Sequence, residues 1–506
     1  MPDRFRFPIP QDLDWLALGP IIVVVATGIV ALVLEMLRHN KRNNAAIVGV
    51  TVVGLLVAGA LAAVQAGEPA KEILAGTFLR DRFGSVVQVL MVAACLLSVL
   101  FSEGYLREKR IPFGESYPLM LWATAGGMVM ATSRNLVTLF VGLELLSVSL
   151  YVLAGLSRRE AKSEESALKY FLLGAFASAF LLYGIALFYG ATGSLHLERV
   201  AEVWSSGFEI GRSLLAVGLA LILVGLSFKS AFVPFHQWTP DVYQGAPTNI
   251  TAFMAAGSKV AAVAMLYHVL DACQPLIDFW LPPLFWVAIL TMVVGNLAAL
   301  VQKDAKRLMA YSSISHAGYL LVALLARFKA PEAVSDATLL YYLASYNFMT
   351  VGAFAVIALA ARGGRESTGL SALNGLWQRS PFAASVLLLC VWSLIGVPGA
   401  SGFVGKLLIF RDALAAGLAP LAIVLAVASI VSVAYYLALV KAAWVADEAE
   451  ADQPIAPLRT GAGLAAAICA AGVIGLFVFV GPVLGWMGGG SSAGAGSAAR
   501  TEVRPG

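Results

Sequence analysis

Apolar runs of about 20 residues, long enough to cross a bilayer as a helix, alternate with short polar links along nearly all of the chain. They fall at roughly 15–37, 45–66, 84–103, 116–133, 135–156, 164–191, 212–232, 248–271, 282–302, 306–326, 335–361, 381–410, 415–444 and 461–487. The pattern predicts an all-α polytopic membrane protein of about fourteen transmembrane helices. A barrel would instead show short strands of alternating polarity. The final segment, 488–506, is rich in Gly, Ser and Ala and reads as a disordered tail.

Two runs depart from the pattern. Between Leu221 and Leu270 two apolar segments flank VPFHQWTPDVYQGAPTN. Pro234, Pro240 and Pro247 have no backbone N–H to donate, so a helix should break near Pro234 and restart near Thr248. In lipid the freed backbone groups need internal partners or a watered cavity. Pro398, with Gly396, Gly399, Gly402 and Gly405, predicts a second break in GVPGASGFVGK. A lysine lies within about ten residues of each proline, Lys229 before Pro234 and Lys406 after Pro398. The two halves thus read as repeats, each with one discontinuous helix near the midplane.

Composition agrees with the pattern. The 506 residues are 59% hydrophobic and 13% charged, against about 25% charged in soluble domains, and the mean hydropathy is +0.83. The net charge of +4 is small; the lipid bilayer is an expected partner and nucleic acid is not. Cys95, Cys273, Cys390 and Cys469 are scattered and read as small core residues. The sequence has no metal-ligand cluster, GxGxxG or P-loop. The first twenty residues lack a basic–apolar–cleavage pattern, so no removed signal peptide is expected.

Basic residues set the expected orientation. The links after odd-numbered segments, such as RHNKRNN, SRREAKSEES and QKDAKR, are rich in Lys and Arg and read as cytoplasmic. Most alternate links are leaner, which puts both termini outside. Two links run against the bias: the one at the first break has no basic residue, and GEPAKEILAGTFLRDRFG carries Lys71, Arg80 and Arg82.

Four lysines remain inside apolar runs: Lys169, Lys229, Lys259 and Lys406. Each would cost about 2.5–3.5 kcal/mol at a helix centre, so they call for a functional explanation. Glu144, with apolar neighbours on both sides, should face the bundle and seek a cation, Lys229 being the natural candidate. Such a pair is either a fixed structural bridge or one whose changing distance moves a proton. Lys259 lies too deep to snorkel and reads as part of an ion path. Lys169 sits four residues after Glu165 in the first turns of its helix, so a structural pair competes with a path role. His236, at the break, either joins the path or ties off loose carbonyls. His316 lies among Ser312, Ser313, Ser315 and Tyr319 on a polar stripe, which suits a hydrated relay or helix packing. His268 reads as structural, Asp241 as stabilising the restart, and Lys303, Lys306 and Arg307 as interfacial anchors.

FKSAFVPFHQWTPDVYQGAPTNITAFMAAGSK resembles the signature of subunit N of the proton-translocating NADH:quinone oxidoreductase, respiratory complex I. LFVGLELLSVSLYVLAG, ESALKYFLLGAFASAFLLYGIALFYGATGS, RLMAYSSISHAGYLL and GVPGASGFVGK fit the same family, so the resemblance covers roughly residues 110–445. The wider antiporter-like group, which includes subunits of multi-subunit cation/proton antiporters, usually reads PLHxWLPDA at the break. PFHQWTPDVYQGAP favours the N-type subunit over that alternative, although Gln244 stands where the family often has Glu.

The resemblance implies fourteen helices with two inverted repeats, helices 4–8 and 9–13, in which helices 7 and 12 are discontinuous. On this chain that gives 1–110 for the first three helices, 111–275 and 276–446 for the repeats, and 447–487 for the last helix. It implies a multi-pass subunit of the bacterial plasma (inner) membrane, assembled with other membrane and peripheral subunits. It makes Glu144, Lys229, Lys259 and Lys406 the proton-path residues of helices 5, 7, 8 and 12. NADH, FMN, iron–sulfur clusters and quinone would belong to partner subunits, with no cofactor in this chain.

Overall fold

The computed structural model describes residues 14–37, 44–109, 111, 114–158, 160–360, 368–444 and 460–488. The expectation of a disordered tail falls on residues outside this set apart from Gly488. In chain order the helices are α1 (Gly19–Leu37), α2 (Ala45–Gln65), α3 (Arg82–Glu108), α4 (Ser116–Thr132), α5 (Leu136–Ala154), α6 (Ala161–Thr192), α7 (Arg199–Ser205), α8 (Glu209–Ser230) and α9 (Trp238–Gly245). They continue as α10 (Thr248–Phe253), α11 (Lys259–Ala272), α12 (Ile277–Leu300), α13 (Ala305–Lys329), α14 (Asp336–Ala360), α15 (Leu376–Arg379), α16 (Pro381–Ile395), α17 (Ser401–Ala415) and α18 (Ala419–Trp444). Helices Thr460–Val478 and Val480–Gly488 follow.

Every apolar run is helical. Twelve helices among the described residues are long and apolar enough to cross a membrane. The run at 116–133 is the 17-residue α4, and the run at 381–410 is split into α16 and α17. Side chains fix several starts. Asn135 accepts from the amides of Val137 and Thr138 to cap α5, Asp304 caps α13, and Ser380 caps α16 with Pro381 at the first helical position. Between α2 and α3 a short hairpin, Lys71–Ile73 with Phe78–Arg80, occupies what the sequence read as a plain link.

Burial sorts the helices into a centre and a rim. The Thr248–Ala272 span is 100% buried, α13 94% and α14 89%, whereas α1, α6 and α18 are 33% buried and expose apolar side chains, as lipid-facing helices do. Small residues let neighbours approach: a side-chain carbon on Gly184 of α6 would stand 2.7 Å from the Gly218 carbonyl of α8.

Both predicted breaks are present, and the first differs in detail. α8 stops at Ser230, the Val233–Pro234 peptide is cis, and the chain restarts at Trp238 rather than Thr248. Pro240 is the third residue of α9, where its missing N–H would have had no helical partner. A second interruption at Ala246–Pro247 then precedes α10. Between α10 and α11, Met254–Ser258 forms a π-helical turn directly before Lys259. The second break follows Gly396, whose φ of +84° suits glycine and ends α16.

Candidate functional site

The first break builds one cluster. Ending α8 frees the Phe228 carbonyl, and the Trp238 indole Nε1 donates to it at 2.9 Å. Trp238, not the half-buried His236, therefore ties off this carbonyl. Lys229, in the last turn of α8, is 4% exposed. Its Nζ donates to Ser147 Oγ on α5 at 2.8 Å and to Tyr170 OH on α6 at 3.1 Å. The amine also stands 5.2 Å from the Tyr170 ring centroid, within cation–π range.

Glu144 sits one turn before Ser147 on α5 and accepts a short hydrogen bond from Ser178 Oγ on α6. The direct Glu144–Lys229 pair expected from the sequence is not formed. Each charge is held instead by hydroxyls, and Ser147, Ser178 and Lys229 line a shared cavity of about 10 Å³, about the smallest that holds a water.

The second cluster gathers three candidates that are far apart in sequence. Lys259 is 3% exposed, and its Nζ donates to the Ser313 carbonyl of α13. It stands 5.5 Å from the ring centroid of Tyr346 on α14, and Tyr346 OH donates to Ser313 Oγ at 2.8 Å. His316, on the same α13, is 1% exposed. Its Nδ1 is 2.7 Å from Tyr342 OH and its Nε2 3.3 Å from Tyr436 OH, which also bonds Ser312. The imidazole centroid is 5.2 Å from those of both Tyr346 and Tyr319. Lys406, 6% exposed, stands 4.9 Å from the Tyr319 centroid. Its Nζ donates at 2.9 Å to each of the Leu394 and Ile395 carbonyls, which the second break frees at the end of α16. A side-chain carbon on Gly396 would come within 2.8 Å of Lys406 Cδ, so that glycine also makes room for the lysine.

The order in space is Lys259, Tyr346, His316, Tyr319, Lys406. Trp238 and Tyr243 connect this row to the first cluster, with ring centroids 6.3 Å apart and Tyr243 OH 3.5 Å from Ser313 Oγ. Among the described residues, no carboxylate lies within 4.0 Å of Lys229, Lys259 or Lys406. Hydroxyls, carbonyls and ring faces surround them. Such neutral partners keep an amine hydrogen-bonded whether or not it carries its extra proton.

Lys169 lies apart from these rows. Its side chain is 42% exposed and bridges Glu165 at 2.6 Å and Asp241 at 2.7 Å. Asp241 also pairs with Arg307 at 2.5 Å, and Gln244 continues the network to Asp304 at 2.9 Å. Asp241 thus fastens the restarted helix to α6 and α13. Lys306, expected at the interface, is 0% exposed, and its Nζ donates at 2.5 Å to the Ala246 carbonyl beside Pro247. His268 Nε2 is 2.7 Å from the Ala131 carbonyl, a contact that fits packing. All four cysteines are buried and free. No group of three or more His, Cys, Asp or Glu side chains converges as for a metal among the described residues.

Tyr170, Ser178, Tyr342, Tyr346 and Tyr436 were not found by sequence reasoning. Tyr342 and Tyr346 carried a usable signal: they stand four apart in an apolar span, hence on one helix face.

Residues 133–432 match the family described as NADH:quinone oxidoreductase/Mrp antiporter, TM. The NADH-quinone oxidoreductase subunit N of Myxococcus xanthus is 39% identical over 502 residues, covering 94% of this chain and 96% of that one. The subunit N of Salinibacter ruber is 40% identical over 472 residues, covering 91% and 93%. A chain of respiratory complex I from Thermus thermophilus superposes with a TM-score of 0.78 at 37% identity, over 92% of this chain and 98% of that one. A chain of the Mrp complex from Dietzia sp. has the same TM-score at 20% identity, over 94% and 96%, and shares the fold.

Proposed function

Because this chain belongs to the subunit N family of NADH-quinone oxidoreductase, respiratory complex I, we propose that it carries protons across the bacterial plasma membrane through Glu144, Lys229, Lys259, His316 and Lys406. The observation that carries this reading is the row of three buried lysines held by neutral partners and joined through tyrosines and His316. Helices α8, α11, α13, α14 and α17 all contribute to that row, which a fixed structural ion pair does not require.

The steps follow from the hydrogen bonds. A carboxylate moving toward Lys229 favours its ammonium form, and one moving away favours release. The Ser147–Ser178 cavity leaves Glu144 and Lys229 coupled through polar groups rather than locked together. A proton released at Lys229 passes by water to Lys259, then through His316, which both donates and accepts, to Lys406. Lys169, with Asp241 and Arg307, orders the cytoplasmic mouth, and His236 lies at the edge of the break. On this reading 111–275 and 276–446 are the two repeats, both termini face outside, and the partner subunits of the complex hold NADH, FMN, iron–sulfur clusters and quinone. This chain supplies proton transfer alone. The antiporter alternative is less supported, since the Mrp chain is 20% identical and the complex I chain 37%.

Glu144→Ala in the complete complex tests the reading. The complex should assemble, and proton pumping into vesicles with its coupled quinone reduction should fall about tenfold or more, the effect of one lost charge interaction. Normal pumping by the assembled variant would refute a transfer role for Glu144.

A further inference from the structure

The rim helix α12 carries a single side-chain amide, Asn296, in the apolar run TMVVGNLAAL. Although the α12 span is only 39% buried, Asn296 is 2% exposed. Its Nδ2 donates to the Met292 carbonyl at 2.7 Å and to Ser315 Oγ on α13 at 2.5 Å. Its Oδ1 accepts from Tyr435 OH on α18 at 3.1 Å. The Met292 carbonyl can only accept, so it fixes which end of the amide is which. Gly295 makes the short reach possible, since a side-chain carbon there would stand 2.7 Å from the Ser315 backbone nitrogen.

The amide redirects Ser315. Buried helical serines of this chain return their protons to the carbonyl four residues back, as Ser102, Ser147 and Ser258 do. Ser315, its oxygen occupied by the Asn296 amide, donates instead to Tyr319 OH at 3.2 Å. That bond fixes the far end of the ring that lies 5.2 Å from the His316 centroid and 4.9 Å from Lys406 Nζ.

A second arm leaves the other end of the amide. The Tyr435 ring, held at its hydroxyl by Asn296, packs with its centroid 4.5 Å from that of Tyr436. Tyr436 OH in turn stands 3.3 Å from His316 Nε2. Both arms therefore start at one amide and close on one imidazole. Helix packing through a buried Asn requires one bond across to a neighbour; it requires neither the second arm nor the diverted serine.

We propose that Asn296 is a positioning residue for proton passage between His316 and Lys406, an assignment that rests on the proton-path reading above. The amide neither gains nor loses a proton at physiological pH, so it is not itself a carrier. Through Ser315 it keeps the Tyr319 ring between the imidazole and the Lys406 amine. Through Tyr435 it keeps the Tyr436 hydroxyl against Nε2. Passage along the row needs both flanks in place at once.

The test uses the complete complex, reconstituted at matched assembly, with Lys406→Ala as reference. Asn296→Leu keeps the approximate size and removes both arms, and should lower proton pumping about fivefold or more, the effect of two lost hydrogen bonds. Asn296→Gln and Asn296→Met then form a pair of similar length and volume that differ in polarity. The Gln variant should pump at least about threefold better than the Met variant, because only it replaces the lost donor and acceptor. Equal pumping by that pair would reduce Asn296 to packing and overturn the assignment. Unaltered pumping by Asn296→Leu alongside impaired Lys406→Ala would overturn the assignment and leave the path reading standing. Unaltered pumping by both would overturn the path reading itself. Should the Asn296 variants fail to assemble, Ser315→Ala/Tyr435→Phe severs both arms and leaves the amide in place. The same loss as for Asn296→Leu is expected, and unaltered pumping by this double variant would overturn the assignment.

Discussion

Tyr170 lies flat against Trp238, with ring centroids 4.6 Å apart and planes within 11°. The same Trp238 holds the Phe228 carbonyl, one residue before Lys229, and Tyr170 OH accepts from the Lys229 amine. The amine is therefore positioned by the break, and the break is braced against α6. Tyr170→Phe keeps the stack and removes the acceptor. A hydrogen bond to a charged group contributes about 1.5–3 kcal/mol, so pumping by the assembled complex should drop about tenfold. Unchanged pumping would show that Ser147 alone suffices to hold the amine.

Lys229→Ala should impair pumping more than Lys229→Arg. Arginine keeps a positive charge among Ser147, Tyr170 and the ring of Tyr151, whose centroid is 6.0 Å from the Lys229 amine, but it does not release its proton at physiological pH. Partial activity in the Arg variant is the expected result in vesicle pumping assays. Full activity would exclude proton exchange at this position and leave only a fixed charge.

Lys259 and Lys406 flank one His316-centred row, so cutting the row at either end should block the same transfer. The double variant Lys259→Ala/Lys406→Ala should pump little worse than the more damaged single variant, because residues acting as a unit are non-additive. Proton uptake by the three variants at matched assembly provides the comparison. Losses that add as free energies would assign two separate electrostatic roles to the lysines.

Orientation is open to direct labelling, because all four native cysteines are buried and are replaceable by small residues. Ser206 follows α7, and Lys162 lies in the first turn of α6, both exposed. With the N-terminus outside, Ser206→Cys should react with an impermeant thiol reagent from outside the cell and Lys162→Cys should not. The opposite outcome would invert the topology and, with it, the direction assigned to the path.

Length and composition made the spans legible, and Pro234 and Pro398 made the breaks legible, because a missing N–H acts locally. What depended on three-dimensional neighbours was hidden. Pro240 gave no hint that two turns of helix precede Thr248, since proline is tolerated in a first turn. Lys306 reads as interfacial beside Lys303 and Arg307, and only the fold of the Ala246–Pro247 turn over it makes it a buried partner for a carbonyl. Glu144 and Lys229 were both found, yet their separation by Ser147 and Ser178 depends on how α5, α6 and α8 pack. His316 was visible through its serines, while Tyr342 and Tyr436, which bond its two nitrogens, come from distant helices.

The π-helical turn at Met254–Ser258 gives the Lys259 span a definite angular phase. A π turn holds one residue more than an α-helical register accommodates. Removing that residue would let the ladder run straight, yet everything beyond it would turn by about 100° about the axis. Lys259 would swing away from the Ser313 carbonyl and Tyr346, and Tyr267 and His268 would leave Phe83 and the Ala131 carbonyl. The span thus behaves as a keyed shaft. Deleting one residue within 254–258 would tidy the local geometry while putting the lysine out of line with its row, so this helix carries its functional alignment in its residue count as well as in its side chains.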